Sequence, residues 1–186
     1  MAQELLASEY FRGTTDLAPL LDKQLLLLTV AGVKPVSTVE SGHWVPTSTG
    51  RQTLPDDPAK VGHFLASLGL AHRISTDQHA TRAVVSLSPD LIQQYGQARD
   101  PVTLGRLYGF PETAIAANAS GSCMELEEQR ALLERAGVPE EFSPFCFSHP
   151  HWRDEMTVVE QWVDLLASCG LLAAGRGHRI SLVLAA

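Results

Sequence analysis

The chain has 186 residues, a formal net charge of -7, 45% hydrophobic and 19% charged residues. That length and apolar share suit one compact globular domain over residues 1–186 and exclude wholesale disorder or two separate enzymatic domains. The balance is acidic and no dense Lys/Arg block occurs, so the electrostatic footprint of a phosphate-backbone binder is missing and no nucleic-acid partner is expected.

In chain order, Gln3 to Phe11 reads as a short opening helix. No basic region precedes an apolar run there, so the start does not read as a secretory signal. A second helix is predicted from Asp16, a capping residue, through the Leu20, Leu21, Leu25, Leu28 stripe to a stop at Gly32. Leu25 to Val30 taken alone also suits a buried strand. The longest apolar stretch, Leu25 to Val33, is too short to span a bilayer, so no membrane partner is expected. Val36, Thr38 and Trp44-Val45 alternate with polar residues, and Ser41 to Pro55 is rich in Gly, Ser, Thr and Pro, which reads as an irregular hairpin or long loop.

Asp57-Pro58 is a helix start with Asp as N-cap and Pro at the first helical position; Val61, Phe64, Leu65 and Leu68 share one face and Gly69 ends it. Leu70 to Ser75 and Arg82 to Leu87 follow as an antiparallel pair of strands turning at Thr76 to His79. Helix starts recur at Ser88-Pro89-Asp90, Asp100-Pro101 and Pro111-Glu112. Glu125 to Ala136 is an acidic helix stopped by Gly137, with Glu127, Glu128, Gln129 and Arg130 on its wet face. Pro139 to Pro150 is a loop. From Pro150 to Cys169 runs the strongest helix, its apolar face carried by Met156, Val159, Trp162, Val163, Leu166 and Cys169. Arg179 to Leu184 alternates as a terminal strand completing a sheet. The whole is predicted as α+β: a small sheet, antiparallel hairpin plus C-terminal strand, packed against a cluster of short helices and one long C-terminal helix.

The densest group of reactive side chains is Phe145-Cys146-Phe147-Ser148-His149-Pro150-His151-Trp152, in the loop that feeds the strongest helix. Three chemistries compete for it. Cys146, His149 and His151, with Cys123 as a fourth ligand, are donors for zinc or another transition metal, although the spacing matches no standard zinc motif. Cys146 also reads as a nucleophile, with a thiol activated by the helix N-terminus and by imidazole bases. Against both stands simple packing, with Phe145, Phe147 and Trp152 stapled over the helix start and the histidines capping it. Glu155, four residues before Val159 and close to the apolar stripe, is the carboxylate that burial would promote to a general acid or base, whereas Asp154 and Glu160 are surface groups. His43 and Trp44 in the Gly/Ser-rich stretch suit a lid over a small ligand. Ser120-Gly121-Ser122-Cys123 before a helix suggests an anion-binding turn. Three cysteines at wide spacing argue against a secreted disulfide framework and for reduced thiols in a cytoplasmic protein.

Gly105-Arg106-Leu107-Tyr108-Gly109-Phe110-Pro111-Glu112, with Ala31-Gly32-Val33-Lys34-Pro35 upstream, resembles an uncharacterised, largely archaeal family that carries a G-R-L-L-G-Y-P-E-C-C motif. The resemblance implies related architecture. The motif's two cysteines are replaced here by Thr113 and Ala114.

Together these features predict a small-molecule-binding protein, with catalysis left open, and a pocket between the 41–55 stretch and Cys146–Trp152, lined by Cys146, His149, His151, Trp152 and His43 or Trp44. The competing readings are a metal-dependent enzyme with Cys/His ligands and a non-catalytic interaction module that forms a homodimer.

Overall fold

The computed structural model describes residues 17–48, 50–138, 145–169, 173–174 and 181–182. The chain builds two units, Met1–Gln97 and Ala98–Ala186, each with its own core. The expected helix at 3–11 lies outside the described residues.

In the first unit, the apolar run that suited either helix or strand is helical: α1 covers Leu17–Val30, and Leu26, Leu27 and Leu28 are wholly buried. Of the two readings of the Ser41 to Pro55 stretch, irregular hairpin or long loop, the hairpin is the one that forms. Its strands are β1 (Ser37–Thr47) and β2 (Gly50–Pro55), which pair antiparallel. Strands β3 (Ala71–Thr76) and β4 (Thr81–Ser86) form the second hairpin, and the sheet order is β2-β1-β4-β3.

β1 changes partner along its length. Ser37 to Ser41 pair with β4, and Gly42 to Thr47 pair with β2. Gly42 stands at the change, where a Cβ would lie 2.9 Å from the Leu54 carbonyl oxygen, so the close approach of the two backbones excludes a side chain there.

Alternation divides the sheet into two faces. Ser37, Val39 and Ser41 on β1 are buried opposite Val85, Ala83 and Thr81 on β4. α1 covers this face, the Thr29 hydroxyl donating to Ser37 Oγ at 2.7 Å. Helix α2 (Pro58–Ser67) lies on the same side, its Gly62 against His72 and Ile74 of β3. Its start is the predicted one: Pro58 opens the helix, and the Asp57 carboxylate accepts from the Ala59 N–H at 2.9 Å. On the other face Glu40 and Arg82 form an ion pair across the strands, and helix α3 (Pro89–Gln97) lies beside Arg73 at Gly96.

The second unit is mostly helical. Its helices are α4 (Pro101–Leu107), α5 (Glu112–Ser120), α6 (Leu126–Arg135) and α7 (Trp152–Ser168). Asp100 caps α4 through the Thr103 N–H, and Gly121 and Gly137 turn the chain out of α5 and α6 with φ of 69° and 70°. Phe145 is central to the aromatic packing, its ring centroid 5.4 Å from Phe110, 5.7 Å from Phe147 and 6.2 Å from Trp162. α7 buries Met156, Val159, Trp162 and Leu166 as its spacing predicts, while Val163 and Cys169 are half-buried. The C-terminal strand, β6 (Ser181–Leu182), pairs with β5 (Ala173–Ala174) in a separate two-stranded ribbon; the sheet of the first unit is completed by the β1–β2 hairpin instead. The fold class is α+β. No described helix is long and apolar enough to cross a membrane.

Candidate functional site

The Phe145–His151 loop is built from the backbone outward. After α5, Met124 donates its N–H to the Phe147 carbonyl at 2.7 Å, and Cys123 and Ser148 form an isolated antiparallel bridge. Gln129 of α6, 4% exposed, extends this pairing with its side-chain amide: Nε2 donates to the Phe145 carbonyl at 2.9 Å and Oε1 accepts from the Phe147 N–H at 3.2 Å. One amide thus replaces the edge of a neighbouring strand, satisfying backbone groups that burial would leave costly.

At the far end of the loop, Glu155 of α7 reaches back past the helix start. Its two carboxylate oxygens accept from the Ser148 N–H and the Ser148 hydroxyl, each at 2.7 Å, and all three groups are buried. His151 occupies the N-cap position, its carbonyl accepting from the Glu155 N–H at 3.1 Å, with no cap bond from its imidazole. A carboxylate in the first turn of a helix is favoured by the free N–H groups there.

Between these anchors, Cys123 and Cys146 are joined as a disulfide, with Cα atoms 5.7 Å apart. This corrects the expectation of reduced thiols. In this state neither sulfur is a metal ligand or a nucleophile. The Cys146 sulfur also lies 3.8 Å from the Ala114 carbonyl oxygen, and Cys169 is the free thiol among the described residues.

Several expected roles change. Glu155 is buried as the spacing suggested, yet both its oxygens are engaged by Ser148, so it acts as an internal cap and not as an available acid or base. His149 is exposed, its Nδ1 3.9 Å from Glu128 Oε2, and His151 is exposed as well. Among the described residues no group of three His, Cys, Asp or Glu comes together to hold a metal ion, so Cys123, Cys146, His149 and His151 meet only as the cysteine pair. Trp152 is half-buried with the Arg153 guanidinium 4.6 Å above its ring; Trp162, not Trp152, packs on Phe145. His43 and Trp44 have their backbones in β1, opposite Leu54 and Thr53, and their side chains lie outside the described residues. They belong to the first unit and Cys146–Trp152 to the second. The expected anion-binding turn is a helix end: Gly121 closes α5, and the Ser120 hydroxyl donates to the Ala116 carbonyl at 2.8 Å.

No family model, no curated protein and no solved structure matches the chain. Its site therefore has to be read from its own chemistry.

Two groups escape the sequence reading. Gln129 was assigned to a wet face, although with Leu132 and Leu133 it makes the i, i+3, i+4 pattern of a buried stripe. Lys34 has a subtler signal: a cation directly after an apolar helix, between Gly32 and Pro35. It is 3% exposed, and burial pushes its ammonium down to about 8 from 10.5. Lys23, on α1 and 1% exposed, is lowered by burial too.

Proposed function

We propose that the Cys146 segment is a thiol–disulfide site that cycles between the Cys123–Cys146 disulfide and a dithiol, exchanging electrons with low-molecular-weight disulfides and thiols. The observation that carries this reading is that the loop is held without the sulfurs. The Met124–Phe147 hydrogen bond, the Gln129 amide and the Glu155–Ser148 pair hold the loop through groups other than the sulfurs, with the Cys123 and Cys146 Cα atoms 5.7 Å apart. The reduced form also has an acceptor in place, since the Cys146 S–H faces the Ala114 carbonyl. Both cysteines are half-buried and so within reach of a small reagent.

In the oxidising direction, one thiolate of the pair attacks a small disulfide, forming a mixed disulfide and releasing one thiolate. The second cysteine then attacks the mixed disulfide, releasing the other thiolate and closing Cys123–Cys146. Two electrons pass from the pair to the small disulfide.

The test is stoichiometric reoxidation. Reduced protein mixed with glutathione disulfide at pH 7.5 is expected to release two equivalents of glutathione per chain, with mass mapping placing the new bond at Cys123–Cys146. Far-ultraviolet dichroism should be the same in both states. Closing a loop of 23 residues stabilises by about 3 kcal/mol through the unfolded chain, so the reduced protein should unfold at lower urea. Persistent mixed disulfides, pairing through Cys169, or loss of helicity on reduction would overturn the reading.

A further inference from the structure

The two cysteines of the pair stand in different surroundings. Cys123 follows the turn that ends α5, where the Ser122 N–H donates to the Ala117 carbonyl at 2.9 Å and the Ser120 and Ser122 hydroxyls lie 2.8 Å apart. Ser120, Gly121 and Ser122 are all exposed, so the chain leading into Cys123 is open to solvent.

Cys146 is flanked by buried groups instead. Phe145 and Phe147 on either side of it are buried, and so is Ser148. The Cys146 sulfur lies 3.8 Å from the carbonyl oxygen of Ala114, a residue of α5 that is itself buried. Among the described residues no oxygen faces the Cys123 sulfur in the same way.

On reduction the two thiols therefore differ as nucleophiles. A carbonyl oxygen accepts a hydrogen bond from S–H and repels the negative charge of S⁻, so it favours the protonated form of Cys146. The species that attacks a disulfide is the thiolate. Resting on the thiol–disulfide reading above, we infer that Cys123 is the attacking cysteine, the one that carries the mixed disulfide, and that Cys146 is the resolving one.

The Cys123 thiolate attacks one sulfur of a small disulfide, whose S–S bond breaks to release one small thiolate. Cys146 then gives its proton to water and attacks Cys123 Sγ, and the second small thiolate leaves as the intramolecular bond closes. Two electrons have passed from the pair to the small disulfide. In the reverse direction a small thiolate attacks Cys123 Sγ, and Cys146 leaves by taking up a proton beside the Ala114 carbonyl. A second small thiolate then attacks the sulfur of the first and releases Cys123.

The test is a brief alkylation of reduced wild-type protein. Iodoacetamide at pH 7.5, stopped at low conversion and mapped by peptide mass spectrometry, is expected to modify Cys123 about tenfold faster than Cys146. In concentrated urea, where the fold no longer sets Cys146 against Ala114, the two rates should come within about twofold of each other. Two variants then check the order of the steps: with glutathione disulfide, Cys146→Ser should gather the mixed disulfide on Cys123 about tenfold faster than Cys123→Ser gathers it on Cys146. Equal rates in the folded protein, faster reaction at Cys146, or a preference for Cys123 that persists in urea would overturn the assignment. Failure of the redox reading itself would show differently, as wild-type protein that releases no glutathione, because alkylation compares the two thiols whether or not the bond then closes.

Discussion

Both units bury polar side chains, and they use them differently. In Ala98–Ala186 the buried Gln129, Ser148 and Glu155 pair with the backbone of a single loop or with each other, and the result is a fixed frame around Cys123 and Cys146. In Met1–Gln97 the buried groups include two ammonium ions, on Lys23 and Lys34, whose charge burial opposes. The comparison teaches that burial of a polar group has two readings. Where the hydrogen bonds close on a loop the group braces it, and where burial opposes a charge the cost appears as a pH-dependent loss of stability.

The largest expected effect breaks the brace. Glu155→Ala leaves the Ser148 N–H and hydroxyl without acceptors in a buried place, and should cost about 3 kcal/mol in urea unfolding of the oxidised protein. Gln129→Ala removes two buried hydrogen bonds and should cost about 2 kcal/mol by the same measurement.

Lys34→Met should act in the opposite sense. The folded amine lies at about 8 and the free side chain at 10.5, so between these values the unfolded chain binds the extra proton and wild-type stability rises with pH. Below pH 8 the full penalty is present, and the substitution should stabilise by up to roughly 3 kcal/mol at pH 7. That gain should shrink as pH climbs from 8 towards 10.5, which a pair of denaturation series would show. A gain independent of pH would assign Lys34 an ordinary packing role.

The smallest effect belongs to the surface. His149→Ala removes an exposed contact at 3.9 Å from Glu128 and should change stability by less than about 0.5 kcal/mol. A loss of several times that size would mean that the histidine is part of the frame.

Much of the local architecture was legible before the fold. Asp57-Pro58 and Asp100-Pro101 announce helices that begin where those residues stand, because a carboxylate that accepts a free N–H and a ring that presets φ act within three residues. The glycine stops at 32, 69 and 137 likewise answer to a backbone conformation that other residues resist. The Ser41–Pro55 stretch was harder. Its Gly, Ser and Pro content left a hairpin and a long loop both open; the hairpin forms with β2, and the pairing of the first half of β1 with β4 comes from a partner distant in sequence.

The candidate site was half legible. Its position before α7 and the burial of Glu155 follow from spacing, since a helix brings every third or fourth residue to one face. The sequence by itself determined where elements start and stop, which stripes turn inward and which eight residues hold the densest chemistry. Only the tertiary structure decided that Cys146 meets Cys123, that Ser148 occupies both oxygens of Glu155, and that Lys34 is buried. Backbone rules act over a few neighbouring residues. Partner choice and desolvation depend on segments that meet only after the chain has folded.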